Sequence, residues 1–128
     1  MEIIISNGSE KPIYEQITMQ VKNLIMAGNL KEGQKLPSIR ALANDLHISV
    51  ITTKRAYTDL ETQGFIETVP GKGSFVAGGN KELMREEQLR RVEAALQQAL
   101  VEAKSAGLET ADLIELLQVL GESDDNNG

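Results

Sequence analysis

The chain has 128 residues, a formal net charge of −6 and no cysteine. That length fits one small domain with an appendage, and the missing thiols exclude a disulfide framework and thiol chemistry. No basic and apolar leader opens the sequence, and no apolar run approaches the ~20 residues of a membrane span, so we expect a cytoplasmic protein without membrane contact.

The negative charge is confined to the C-terminal part of the chain. Residues 1–79 contain eight Lys and Arg against eight Asp and Glu, whereas residues 80–128 contain five against eleven. The first part is therefore neutral. It can still present a local basic surface to nucleic acid, because phosphate contacts need positive charge at the interface and not across the whole chain.

The first predicted elements are a strand and a helix. A β-branched run predicts a short strand over residues 2–6, ended by Asn7-Gly8. Pro12 then opens a helix with apolar residues at helical spacing, and Gly28 closes it.

Two short helices joined by a tight turn are predicted between Leu36 and Leu60. Ser38 and Ser49 are the expected N-caps of the first and the second helix. His47 lies in the turn, where a positive φ is needed and where His is tolerated better than most residues. This arrangement is the helix-turn-helix pattern, in which the second helix enters the DNA major groove.

A β-hairpin is predicted next, because two β-rich runs over residues 65–77 flank a turn at Pro70–Gly73. Lys72 stands between two glycines at its tip. Three helices followed by a basic-tipped hairpin predict a winged helix-turn-helix domain over residues 1–79. The expected fold class is thus mostly α with a small β component.

The C-terminal part is predicted as a two-helix segment over residues 80–120, with helices at 81–106 and 111–120, followed by a disordered acidic tail at 121–128. The apolar stripes of two linked helices need a partner surface. They either fold back on the winged domain or pair with a second chain, and we favour dimerisation. The predicted dimerisation residues are Leu89, Val92, Leu96, Leu100, Leu113, Leu116, Leu117 and Leu120.

Contacts with DNA are expected from the N-terminal end of the second motif helix. Arg55 can bond guanine through two hydrogen bonds or clamp a phosphate, and Val50 and Ile51 can touch thymine methyl groups. Lys72 can enter the minor groove or meet a phosphate. The alternatives are that Arg55 and Lys54 are ordinary solvated surface charges and that Lys72 lies in a generic solvent-exposed turn.

Four segments, Pro12–Ile17, Leu36–Ala43, Arg55–Ile66 and Gly71–Val76, together resemble the GntR family of bacterial transcription regulators. The short two-helix tail is similar in length and helix pattern to the YtrA-type subfamily. The resemblance implies a homodimeric repressor that binds a pseudo-palindromic operator, and it makes Arg40 a DNA contact. Whether a small-molecule effector exists stays open.

The predicted partners are therefore double-stranded DNA and a second copy of the chain. The predicted DNA-binding residues are Ser38, Arg40, Ser49, Val50, Ile51, Thr52, Lys54, Arg55, Gly71, Lys72 and Gly73. We find no catalytic constellation, metal-ligand cluster or cofactor motif, so an enzyme is not expected. The negative charge and the apolar Val50-Ile51 pair leave one alternative, a winged-helix protein-interaction module that does not bind DNA.

Overall fold

A computed structural model describes residues 1–79 and 81–127. Its helices are α1 (Ile13–Met26), α2 (Ile39–Leu46), α3 (Val50–Thr62), α4 (Lys81–Ser105) and α5 (Thr110–Asn127), and its strands are β1 (Ile66–Val69) and β2 (Gly73–Val76). The predicted fold class, mostly α with a small β component, is confirmed. The chain divides into two compact units, Met1–Met84 and Arg85–Gly128.

The first unit is built around the packing of α1 against α3. Ile17 and Val21 of α1 and Ala56 and Leu60 of α3 are fully buried, because each helix places these residues on one face at helical spacing. Thr53 is buried beside them, and its hydroxyl donates to the Ser49 carbonyl at 3.1 Å. The polar group is thereby satisfied inside the core.

The wing is an antiparallel hairpin in which Ile66 pairs with Val76 and Val69 pairs with Gly73. The segment before α2 runs alongside β2. Leu36 N–H donates to the Ser74 carbonyl and Val76 N–H donates to the Gln34 carbonyl, both at 2.9 Å. The predicted hairpin is therefore present. The hairpin is hydrogen-bonded directly to the segment that leads into the first helix of the helix-turn-helix motif.

The strand predicted over residues 2–6 is wrong, because this segment forms no strand. Two glutamines of α1 hold it instead. The Gln20 amide accepts from Ile4 N–H at 2.9 Å and donates to Ile4 C=O at 2.7 Å, and the Gln16 amide bonds Ser6 N–H and C=O in the same way at 2.8 and 3.0 Å. Glutamine side chains thus replace the partner strand, and Ile3, directly before the first anchored residue, is buried.

The second unit contains most of α4 and all of α5. The α4 helix ends at Ser105, one residue before the predicted end, and Gly107 beyond it has φ +76°. The α5 helix continues to Asn127, so the disorder predicted for residues 121–128 is corrected for the described part of the tail. Gly121 lowers helix stability by only about 1 kcal/mol relative to Ala, and exposed polar residues are compatible with a helix. Gly128 lies outside the described residues.

None of the helices in the described part of the chain combines the length and the apolar character needed to cross a bilayer.

Candidate nucleic-acid interface

Both helices of the motif begin at a serine cap, as predicted. Ser38 Oγ accepts from Ala41 N–H at 3.1 Å, and Ser49 Oγ accepts from Thr52 N–H at 3.0 Å. The Ser49 hydroxyl also donates to Thr52 Oγ1 at 2.8 Å. Capping fixes the start of each helix and leaves other backbone N–H groups of the first turn directed outwards, which is an electrostatic environment that favours a phosphate.

The turn between α2 and α3 depends on His47. Its φ of 55° and ψ of 46° lie in the left-handed region, which confirms the predicted positive φ. Ile48 N–H donates to the Ala43 carbonyl at 3.0 Å across this turn. The single left-handed residue lets the chain reverse direction quickly enough to bring the start of α3 beside α2.

Tyr57 fixes the angle between the two helices. Its hydroxyl donates to the Pro37 carbonyl at 2.7 Å, so α3 is bonded to the residue before the α2 cap. Burial raises the pKa of Tyr57 from 10.0 to about 12, because the interior disfavours the phenolate. The hydrogen bond adds a positioning role that only the structure reveals.

The opposite face of α3 is exposed and carries the predicted reading residues. Ile51 is 81% exposed and Val50 is 45% exposed, and Lys54 and Arg55 are also exposed. A single exposed apolar residue is ordinary, but two in succession at a helix N-terminus beside two cations form an amphipathic surface. Such a surface suits DNA, where thymine methyl groups and phosphates lie close together.

Arg40 of α2 and Val50 of α3 line one shallow, open depression together with Asn44 and Ile48. The two predicted DNA contacts belong to different helices but lie at the same surface. An aliphatic contact and a guanidinium are thus presented side by side.

The Arg55 guanidinium stacks on an aromatic ring. Its central carbon lies 3.7 Å from the centroid of Tyr14, near the start of α1. Helical spacing predicts that Arg55 lies on the exposed face of α3, but nothing in the local sequence pattern links it to Tyr14 of α1.

The wing tip has the expected open geometry. Gly71 and Gly73 have φ of +76° and +121°, and Lys72 between them is exposed. Lys35 was not predicted as a site residue, yet it lies against this turn: a Cβ on Gly73 would come within 3.0 Å of Lys35 Cε. Its bridge to Phe75 is a long-range pairing, which leaves no signal in the local sequence.

The predicted dimerisation residues lie on α4 and α5. Most of them line one apolar groove of about 390 Å³ within the second unit. Leu89 and Val92 are each 56% exposed and lie farther along α4, outside the residues that line this groove. The predicted members of the groove are Leu96, Leu100, Leu113, Leu116, Leu117 and Leu120, and Ala99, Thr110 and Ile114 complete it.

The fold and this surface define a winged helix-turn-helix protein of the kind that binds DNA. Residues 13–76 match the family model described as bacterial regulatory proteins, gntR family. The chain belongs to this family and is a DNA-binding transcriptional regulator. Membership disfavours the alternative of a protein-interaction module that does not bind DNA.

Among curated relatives, the chain is 37% identical over 116 residues to the HTH-type transcriptional repressor YtrA of Bacillus subtilis (strain 168), covering 91% of this chain and 89% of the relative. Among solved structures, it is similar to a transcriptional regulator from Oenococcus oeni, with 28% identity, a TM-score of 0.76 and coverage of 91% and 96%.

A third similarity involves a structure with bound DNA. The DNA-binding domain of AraR in complex with operator ORX1 is 29% identical, with a TM-score of 0.54 and coverage of 60% of this chain and 96% of that chain. The match spans a share of this chain about the size of the winged domain.

Proposed function

We propose that the protein is a homodimeric repressor that binds a pseudo-palindromic operator through the N-terminal half of α3 and the wing. The observation that carries the proposal is the surface at the start of α3, where Val50 and Ile51 are exposed beside Lys54 and Arg55. The name of the Bacillus subtilis relative supports the choice of repression. A regulator of bacterial transcription acts in the cytoplasm, where its operator lies.

In this proposal, base reading and backbone binding are divided between elements. Val50, Ile51 and Arg55 meet base edges in the major groove, and Arg40 reaches the same surface from α2. Ser38, Ser49 and Thr52 offer helix-start N–H groups and hydroxyls to phosphates, and Lys54 adds a positive charge.

The wing supplies a second point of attachment. Gly71 and Gly73 keep the turn narrow, so the backbone and Lys72 can approach the minor groove or a phosphate. Lys35 lies against Gly73 and adds a second cation at the same place. Residues 1–79 have no net charge. Lys35 and Lys72 together provide the local positive charge that a phosphate contact at the wing needs.

A second copy of the chain is the proposed occupant of the apolar groove between α4 and α5. Leu116, Leu117 and Leu120 are 49%, 56% and 62% exposed in the single chain. Contiguous apolar surface of this kind marks an interaction site. A closed two-fold dimer would present two winged domains to the two half-sites of an inverted repeat.

The test is a binding titration with fluorescent promoter-length duplexes at several salt concentrations. Arg55→Ala should weaken specific binding by about 1–3 kcal/mol, because it removes a base or phosphate contact. Lys72→Ala should weaken binding to all duplexes by a similar factor. It should also reduce the slope of the logarithm of the binding constant against the logarithm of salt concentration by about 1.

Lys104→Ala is the matched control, since it removes the same charge from α4 in the other compact unit. It should leave the affinity of the winged domain for DNA unchanged. An equal loss of DNA affinity in Arg55→Ala and Lys104→Ala would show that net charge alone governs binding. The proposed interface would then be rejected.

A further inference from the structure

We infer that Tyr14 is a positioning residue for DNA recognition, acting by holding the Arg55 guanidinium on its ring. The inference rests on the proposed function, because it requires Arg55 to contact DNA. Its basis is the distance of 3.7 Å between the Arg55 central carbon and the Tyr14 ring centroid, which is a close stacking contact.

The stack restrains Arg55 without occupying its donors. A free arginine on a helix surface samples many rotamers, and it loses that freedom when it binds. Stacking engages the face of the planar guanidinium and leaves the N–H groups at its edge available for a bidentate contact. A ring below the guanidinium therefore lowers the entropy lost on binding DNA.

The ring is itself fixed in place. Tyr14 is partly buried and packs against the hydrophobic core from the first turn of α1. Arg55 comes from α3, whose packing against α1 forms the centre of the domain. The stack thus couples the reading side chain to the rigid part of the fold, and not to a loop.

Arg55 has an obvious alternative partner that it does not use. Asp59 lies one turn later on α3, at the spacing of a helix ion pair. Among the described residues, no ion pair joins Arg55 to Asp59 and no hydrogen bond engages the guanidinium. Stacking on Tyr14 leaves the positive charge uncompensated, which is what a contact with an anionic ligand requires.

The test is a double-mutant cycle on the full-length chain, with binding measured by fluorescence anisotropy to a duplex selected from a random library by that chain. Tyr14→Leu should weaken binding about two- to five-fold, the range expected for losing an exposed cation–π contact. Tyr14→Phe keeps the ring and should bind like the wild type. In the Arg55→Ala background, Tyr14→Leu should have no further effect.

An equal loss from Tyr14→Leu in both backgrounds would overturn the inference, because a purely structural role does not depend on Arg55. That result would leave the proposed DNA contact of Arg55 intact. If Arg55→Ala itself left affinity unchanged, the proposed contact would fail and the inference with it. Tyr14→Met provides the same comparison should Tyr14→Leu lower the melting temperature.

Discussion

Tyr57 shows how one side chain carries both packing and geometry. Its ring is buried in the core, and its hydroxyl reaches the Pro37 carbonyl at 2.7 Å. The spacing of Thr53, Ala56, Tyr57 and Leu60 predicts the buried face of α3 correctly. The hydrogen-bond partner could not be predicted, since Pro37 is brought near by the turn at His47 and not by any sequence periodicity.

The raised pKa of Tyr57 makes stability fall at alkaline pH. The unfolded chain releases the phenolic proton from about pH 10, whereas the folded chain keeps it to about pH 12. The unfolded state therefore binds fewer protons in that window, and the free energy of unfolding decreases by up to about 2 kcal/mol as pH rises.

Denaturant titrations of wild type and Tyr57→Phe between pH 7 and pH 12 measure this contribution. At neutral pH the variant should be less stable by about 1 kcal/mol, because it lacks the hydrogen bond to Pro37. The difference should shrink above pH 10 and reverse in sign towards pH 12, because the wild type loses up to about 2 kcal/mol and phenylalanine has no proton to lose. A difference that stayed constant across the whole range would contradict a buried, neutral tyrosine.

The exposure of the proposed DNA-reading residues of α3 can be predicted from the sequence, whereas their tertiary contacts cannot. Exposure of Ile51, Lys54 and Arg55 follows from the helical period alone and is observed. The stack of Arg55 on Tyr14 and the approach of Lys35 to Gly73 join residues remote in sequence. Such contacts arise from the tertiary packing of α1 on α3 and of the 34–36 segment on β2, which a single sequence does not specify.

At the scale of elements, the helices were predictable because their ends carry local signals. Ser38 and Ser49 cap in the structure as their residue types suggest, and Gly64 ends α3 with φ +84°. The hairpin was likewise marked by its turn residues. Each of these signals acts within one turn of the backbone, so no distant contact is needed to interpret it.

The two elements that were wrong lacked such a local determinant. High β-propensity over residues 2–6 indicates side chains that suit a pleated, half-buried surface. Here the backbone of this segment forms hydrogen bonds with glutamine amides of α1 and not with a strand. The sequence predicts that the last helix ends at Leu120, but α5 continues through Gly121. A glycine ends a helix only where the chain adopts a left-handed conformation, and Gly121 has no positive φ.

At the scale of the whole molecule, the excess negative charge and the exposed leucines lie in the same part of the chain, residues 80–128. Residues 1–79 are neutral, and the excess of −6 lies in residues 80–128. An excess of negative charge disfavours phosphate contacts, which is consistent with the proposal that the winged domain binds the DNA. The exposed leucines of residues 80–128 point to association with a second copy, which is the proposed role of the groove between α4 and α5.

The dimer can be tested by one charge placed in that groove. Leu117→Asp should dissociate the protein into monomers, because an unpaired carboxylate would be buried at the interface. Val119→Asp is the matched control: this residue of α5 is 58% exposed and does not line the groove. Sedimentation at micromolar concentration distinguishes the two. Monomeric wild type, or equal dissociation by both variants, would reject the groove as the dimer interface.

Selection of duplexes from a random library by the full-length wild-type chain tests sequence-specific DNA binding most directly. We expect enrichment of one inverted repeat, whose half-sites are separated by about one helical turn or a multiple of it, as a two-fold dimer requires. The Arg55→Ala variant should lose preference at a defined position in each half-site. Recovery of duplexes with no enriched sequence, bound only at low salt concentration, would contradict sequence-specific binding.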